Sequence, residues 1–365
     1  MSLIDELAAG CDTMRGMAAP APGPAAPRRD LASLPKAHLH LHLAGAMRPS
    51  TLRELAREQG RRLPAELLDP DGARLDVTAR RGWSRFQRLY DAARDVVAGP
   101  EQVRRLVREI AEDERAAGSG WVEVQVDPSS YAARLGGLQP TVELVLDAMA
   151  EASAATGTGM ALVVAANRTR HPGDAETLAR LAKRFVGRGV VGFGLSNDET
   201  RGRPEEFAKA FRIAREAGLL SVPHAGELRG TRSVLGAVES LGADRLGHGV
   251  RSVEDPATVA LLAERGVLLE VCPASNVALG VAGAIEAVPV RQLQAAGVPV
   301  ALGADDPLLF RSGLVEQYAA VRDQQGLADE ALADLAGDAV RGSAAPPEVR
   351  ARLLEGIAAW LAAPP

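Results

Sequence analysis

The sequence predicts a (β/α)8 TIM barrel, an α/β fold, with a helical cap inserted after its first strand. Two observations carry this prediction. Eight short apolar runs recur along the chain, and helical patterns separate them. Strand and helix alternating in this way point to a parallel sheet wrapped by helices. A third observation agrees: the residues able to do chemistry gather at the ends of the runs, where barrel enzymes keep their catalytic groups.

The runs are AHLHLHL (37–43), GWVEVQVD (120–127), MALVVAA (160–166), GVVGFGL (189–195), GLLSVPHA (218–225), DRLGHGV (244–250), GVLLEVCP (266–273) and GVPVALGA (297–304). Between them lie patterns such as DAETLARLAKRFVGR and PEEFAKAFRIAREAG, with Gly or Pro just past the end. No GxGxxG follows the first run, which argues against an open dinucleotide-binding sheet. The interval between the first two runs is too long for one crossover helix. It holds STLRELAREQG, WSRFQRLYDAARDVVA and PEQVRRLVREIAEDERAAG, read as a cap over residues 44–119. Residues 17–28 are rich in Ala and Pro and cannot pack a core. We therefore read 1–30 as a flexible leader and 31–365 as one barrel unit.

The composition narrows the function class. The chain has 365 residues, 47% of them hydrophobic, enough for a sizeable core. A net charge of −5 argues against nucleic acid or an anionic membrane as the main partner. No 18-residue apolar span is present, and the acidic start MSLIDELAAGCDTMRG lacks signal-peptide character. A cytoplasmic location is expected. Cys11 and Cys272 are far apart and form no metal or redox motif.

Histidine is scarce, six in the chain, yet His38, His40 and His42 alternate along the first run. Alternation along a strand predicts that all three share one face. A ladder of imidazoles repels itself if charged and wastes polar groups if buried neutral. A metal ion removes both problems, since neutral imidazole is the ligand. Other run ends add His224 and Glu227 in HAGE, His248 in LGHG, and Asp305 and Asp306 in GADDP. His171 is left over and reads as a loop residue. His40, His42, His224 and Asp305 make a three-nitrogen, one-oxygen set suited to one Zn2+ with a place left for water. His248 then serves as base or electrostatic partner to that water, and Glu227 as general acid. Asp305 and Asp306 diverge, one toward metal and one toward substrate. A second metal would need a bridging carbamylated Lys on the fourth strand, and VVGFGLSND has none.

LHLHLAGAMRP, HAGE, LGHG and GADDP, in this order, resemble the adenosine deaminase family of the amidohydrolase superfamily, over about residues 35–345. The resemblance implies zinc-dependent hydrolytic deamination of a 6-aminopurine nucleoside with release of ammonia. It implies that Glu227 protonates ring N1, His248 orients and deprotonates the water, Asp306 bonds N7, and Asn197 in GLSNDET lies at N3. The family pattern after the two histidines is Leu-Asp-Gly, whose acid accepts the ribose 5′-hydroxyl. Here Leu43-Ala44-Gly45 stands instead, so a 5′-substituted nucleoside is expected. Arg81, Arg85 and Arg88, with Trp83, Phe86 and Tyr90, read as a cationic and aromatic wall for an aryl carboxylate. These features are similar to the branch that deaminates 6-amino-6-deoxyfutalosine in menaquinone synthesis; adenosine is the alternative. Hydrolysis of an amide by the same barrel, and a purely structural zinc protein, rank lower. Neither needs the acid and ring-anchoring groups that crowd this rim. Cys272 reads as core; Ser275 and Asn276 stand at the same rim without a role.

Overall fold

Each of the eight apolar runs forms a strand in the computed structural model, which describes residues 28–73, 75–77 and 82–365. They are β1 (Lys36–His42), β2 (Ser119–Val126), β3 (Gly159–Asn167), β4 (Val190–Ser196), β5 (Leu220–Ala225), β6 (Arg245–His248), β7 (Leu268–Val271) and β8 (Val300–Leu302). All pair in parallel, in sequence order. A bridge between Leu41 and Asp305 joins the last strand to the first. There the His42 N–H donates to the Asp305 carbonyl (3.0 Å) and the Asp305 N–H to the His40 carbonyl (3.0 Å). The strands are buried on both faces, which is why they read as nearly continuous apolar runs.

The connections follow ordinary helix chemistry. Asp255 caps the helix Pro256–Arg265, its carboxylate accepting from the Ala257 and Thr258 N–H groups, with Pro256 at the first position. That helix ends on Gly266 at φ 62°, a left-handed turn that glycine adopts without penalty. No helix among the described residues is long and apolar enough to cross a membrane.

The interval after β1 holds α1 (Pro49–Glu58), α2 (Gly82–Arg94) and α3 (Pro100–Ala116). The cap is narrower than the sequence suggests. Helix α3 buries Val103, Leu106, Val107, Ile110 and Ala111 and packs on β2 and the helix Leu138–Thr156, so it is part of the barrel wall. Its apolar stripe had to go somewhere, and the outside of β2 is the apolar surface nearest in sequence. Helix α1 is fastened to α3 by Arg48–Asp113 (2.6 Å), Arg105–Glu54 (2.7 Å) and the Thr51 hydroxyl on Glu109 (2.8 Å). Only α2 faces the strand ends, with Phe86 buried and stacked on Phe310 (centroids 6.2 Å, 6°). Most of the expected leader lies outside the described residues. Its last three, Arg28–Asp30, are tied down: Arg29 donates to the Trp360 carbonyl (3.0 Å) and pairs with Asp329 (2.7 Å).

Candidate active site

The ends of β1, β5, β6 and β8 bring together four imidazoles and the three carboxyl groups of Glu227, Asp305 and Asp306. Donor atoms of His40, His224, His248 and Asp305, all buried, lie within 4.8 Å of one another. His42 Nε2 joins them, 3.1 Å from Asp305 Oδ1 and 3.3 Å from His224 Nε2. His40 Nε2 lies 3.4 Å from Asp305 Oδ1 and is buried without a hydrogen bond. Two imidazole nitrogens facing each other, with a third unsatisfied beside a carboxylate, are the donor set of a cation site. The cation suits it: Asp305 and Glu270, outweighing burial, hold His40 up to about 10, so the cluster already draws a positive charge to itself.

Local backbone geometry serves the cluster. Asn197 (φ 80°), His248 (64°) and Asp305 (59°) are non-glycine residues in the left-handed region, each just at or past a strand end. Such conformations cost of order 1–3 kcal/mol and concentrate at functional sites. A Cβ on Gly247 would sit 2.8 Å from His40 Cε1 and 3.0 Å from His224 Nδ1, and one on Gly45 would sit 1.7 Å from Asp306 Oδ1. Both positions must be bare for the imidazoles and Asp306 to occupy their places.

The acids and bases separate by environment. Burial, then Asp305 and Glu199, push the Glu227 carboxyl well above its usual range, which favours its protonated form. Burial and the neighbouring Asp305 do the same to Asp306. Burial alone would raise Asp305, but the His40 and His42 imidazoles against its carboxylate hold it well below its usual range. Burial takes His248 down to about 3, leaving it neutral. His248 Nε2 is 3.7 Å from Glu227 Oε1 and 4.0 Å from Asp305 Oδ2. A carboxyl group whose protonated form is favoured therefore stands beside a neutral imidazole at one rim.

A second ring of residues holds these groups, and most of it was not read from the sequence. Glu270 on β7 bonds His40 Nδ1 (2.8 Å) and pairs with Arg245 (2.8 Å), which reaches Glu123. A carboxylate behind a metal-facing His fixes its ring orientation. The Ser275 hydroxyl donates to Asp305 Oδ2 (2.6 Å) and the Asn276 amide meets His248 Nδ1 (3.4 Å). Those two now have contacts that explain their place on the rim. Glu199 accepts from four successive backbone amides of the loop after β5. A lone Glu in SNDET offered no periodicity or spacing that could reveal this.

The adjoining cavity measures about 80 Å3, and its lining includes His42, Glu227, His248, Asp306, Asn197 and Phe86. Asn197 also reaches α2: its Oδ1 accepts from Trp83 Nε1 (3.2 Å) and its Nδ2 donates to Gln87 Oε1 (2.9 Å). His38, which stands outside the expected ligand set, bonds Glu114 (2.7 Å) and accepts from the Ala304 N–H (2.9 Å), and the register of β1 shifts between His38 and Leu41. Two expectations need correction. Arg85 and Arg88 are not on the cavity wall but line an outer groove, where Arg85 pairs with Glu66 (3.0 Å) because the helix turns its apolar face inward. The basic residue on the cavity wall is Arg94, whose Nε is buried without a partner. Ala44 is fully buried and does not line the cavity. Arg81 lies outside the described residues. Cys272 is buried in the core as expected.

Fold and site together define a metal-dependent hydrolase built on a parallel eight-stranded barrel. The chain belongs to the adenosine deaminase family, whose model matches residues 35–360. It is 58% identical over 339 residues to a Streptomyces coelicolor protein provisionally named adenosine/adenine deaminase, covering 92% of this chain and 99% of that one. It is 36% identical to an aminodeoxyfutalosine deaminase of the same organism, covering 91% and 87%. Among solved structures, an adenine deaminase from Arthrobacter aurescens superposes with TM-score 0.82 at 28% identity, covering 90% of this chain and 99% of that one. An amidohydrolase from Burkholderia ambifaria with bound Zn superposes at 0.79 with 26% identity, covering 91% of each. The activity class, a hydrolytic deaminase, follows from the family.

Proposed function

We propose that the chain removes the 6-amino group of a 6-aminopurine by hydrolysis, with one Zn2+ held by His40, His42, His224 and Asp305. The observation that carries the reading is the placing at one rim of the buried Glu227 carboxyl 3.7 Å from His248 Nε2, with Asp306 lining the same cavity. A Zn2+ held by those four residues would supply Lewis-acid chemistry, lowering the pKa of a bound water toward neutrality. His42 rather than His248 completes the set, since His42 Nε2 touches two other donors while His248 is engaged by Asn276 and sits beside Glu227.

The chain's own groups then have defined tasks. Asp306 donates to N7 and fixes the ring. Glu227 gives its proton to N1 as the water oxygen adds to C6, and His248 accepts the proton that the water loses. The C6–N bond breaks as the amine takes up that proton and leaves as ammonia, the proton on the C6 hydroxyl passes to Glu227 and restores it, and the 6-oxopurine remains. General acid and base groups positioned in this way each contribute about 10²–10⁴-fold.

A second reading concerns what the purine carries. Arg94, whose guanidinium pairs with Asp91 (2.8 Å) and keeps a buried Nε without a hydrogen bond, stands on the cavity wall. It favours a nucleoside with an acidic 5′ extension such as 6-amino-6-deoxyfutalosine. Side-by-side kcat/KM on adenine, adenosine and 6-amino-6-deoxyfutalosine decides: a tenfold preference for the extended nucleoside supports it, and a preference for adenosine removes it.

A further inference from the structure

The loop after β5 carries two groups of the site within four residues: His224 and Glu227. Arg251, past β6, holds its carbonyls, donating to those of Gly226 (2.9 Å) and Leu228 (2.6 Å). Its amides are held by the carboxylate of Glu199, just past β4, which is 5% exposed. Glu199 Oε1 accepts from the Gly226 N–H (2.6 Å) and the Ser233 hydroxyl (2.6 Å). Its Oε2 accepts from the N–H groups of Glu227 (3.0 Å), Leu228 (2.6 Å) and Arg229 (2.9 Å). Five donors on one buried carboxylate is close to its full accepting capacity. Four of them are consecutive backbone amides, a concave nest that fits an anion.

The nest bears on Glu227 in particular. Gly226 is at φ 78°, so the chain reverses immediately before Glu227, and a Cβ there would meet Val234 Cγ2 at 2.7 Å. The amide of Glu227 itself is one of the bonds to Glu199. From the β3 end Arg168 donates to the His224 carbonyl; Glu199, Glu227 and Asp198 are the acids around this buried guanidinium. The ends of two strands thus grip the β5 loop from one side, leaving the Glu227 carboxyl beside His248.

We propose that Glu199 is a positioning residue for the reaction: by binding the amides of residues 226–229 it sets the Glu227 carboxyl at the height where it meets the purine ring. This rests on Glu227 being the proton donor. Glu199 touches neither substrate nor the candidate metal ligands through its side chain. Its effect passes through Glu227, which separates it from a residue that merely stabilises the barrel. Coupled sites of this kind are non-additive.

The test is a double-mutant cycle on purified, zinc-loaded protein, measuring kcat with 6-aminopurine substrates together with zinc content and Tm. Glu199→Gln replaces an acceptor oxygen by an NH2 group that opposes backbone N–H donors. It is expected to lower kcat at least 30-fold in the wild-type background and less than threefold in the Glu227→Gln background, with zinc retained in both. An equal loss in both backgrounds, or a kcat within threefold of wild type, overturns the proposal. Ser233→Ala removes one donor to Oε1 and keeps the nest charged. Its smaller loss of kcat, about three- to tenfold on the scale of one hydrogen bond, must likewise vanish in the Glu227→Gln background. It decides the matter if Glu199→Gln does not fold. Full activity in Glu227→Gln alone would instead overturn the reading of Glu227, a different failure.

Discussion

Glu227→Gln isolates the proton donor with little else disturbed. The carboxyl is buried, and burial, then the nearby Asp305 and Glu199, shift it upward and favour its protonated form. Its neutral form and a carboxamide have nearly the same shape, and neither puts a charge in the pocket. The fold and the cation site should therefore survive, because the loop is held by its backbone amides on Glu199 rather than by the Glu227 side chain. What is lost is the acidic proton for N1. A positioned general acid is worth about 10²–10⁴-fold, which at 1.36 kcal/mol per decade is about 3–5 kcal/mol of barrier. The assay is the loss of 6-aminopurine absorbance at saturating substrate, alongside zinc per chain by mass spectrometry. The expected result is a kcat two to four decades lower, with wild-type zinc and a KM within a few-fold. Retention of kcat within tenfold at full zinc occupancy would refute the assignment.

Other consequences can be checked alongside. His42→Ala should lower zinc per chain, whereas His248→Ala should keep zinc and lose turnover; the opposite pattern would place His248 in the coordination set. Gly45→Ala places a methyl 1.7 Å from Asp306 Oδ1, so Asp306 must move and kcat/KM should fall at least tenfold with zinc retained. Arg85→Ala should change no kinetic constant, because Arg85 pairs with Glu66 outside the cavity. Lys36 is buried, which takes its pKa down to about 7 despite Glu114 and Asp30. Its unfolded value is about 10.4, so between those pH values the unfolded chain binds more protons and stability rises with pH. Thermal melts should show wild type gaining on Lys36→Met from pH 7 to 10, by at most about 1.4 kcal/mol per pH unit; parallel curves would show that the amine is not buried.

How much of this could be read in advance differs from element to element. All eight strands were legible, because a strand buried on both faces must be apolar and each of these is bounded by Gly, Pro or polar residues. The cluster was legible because histidine is rare here and sits at strand ends. Helix α3 was misplaced: its amphipathic pattern shows that one face is buried but not against what. Arg85 failed for a related reason, since i, i+4, i+7 spacing fixes a shared face and leaves open which way the helix turns. His38 was already set apart from the ligand set, and its bonds to Glu114 and the Ala304 amide give it a supporting place that no local pattern shows. Glu199, Glu270 and Arg245 act through contacts with residues distant in sequence, and no local pattern announces them.

The central claim is that this site replaces a purine amine by oxygen from water. The direct measurement is the product formed by zinc-loaded protein from adenine, adenosine and 6-amino-6-deoxyfutalosine in 18O-enriched water, with ammonia counted in parallel. The expected result is a 6-oxopurine carrying one 18O per molecule and one ammonia per turnover from at least one of the three. Full zinc occupancy with neither ammonia nor labelled 6-oxopurine from any of them would contradict it.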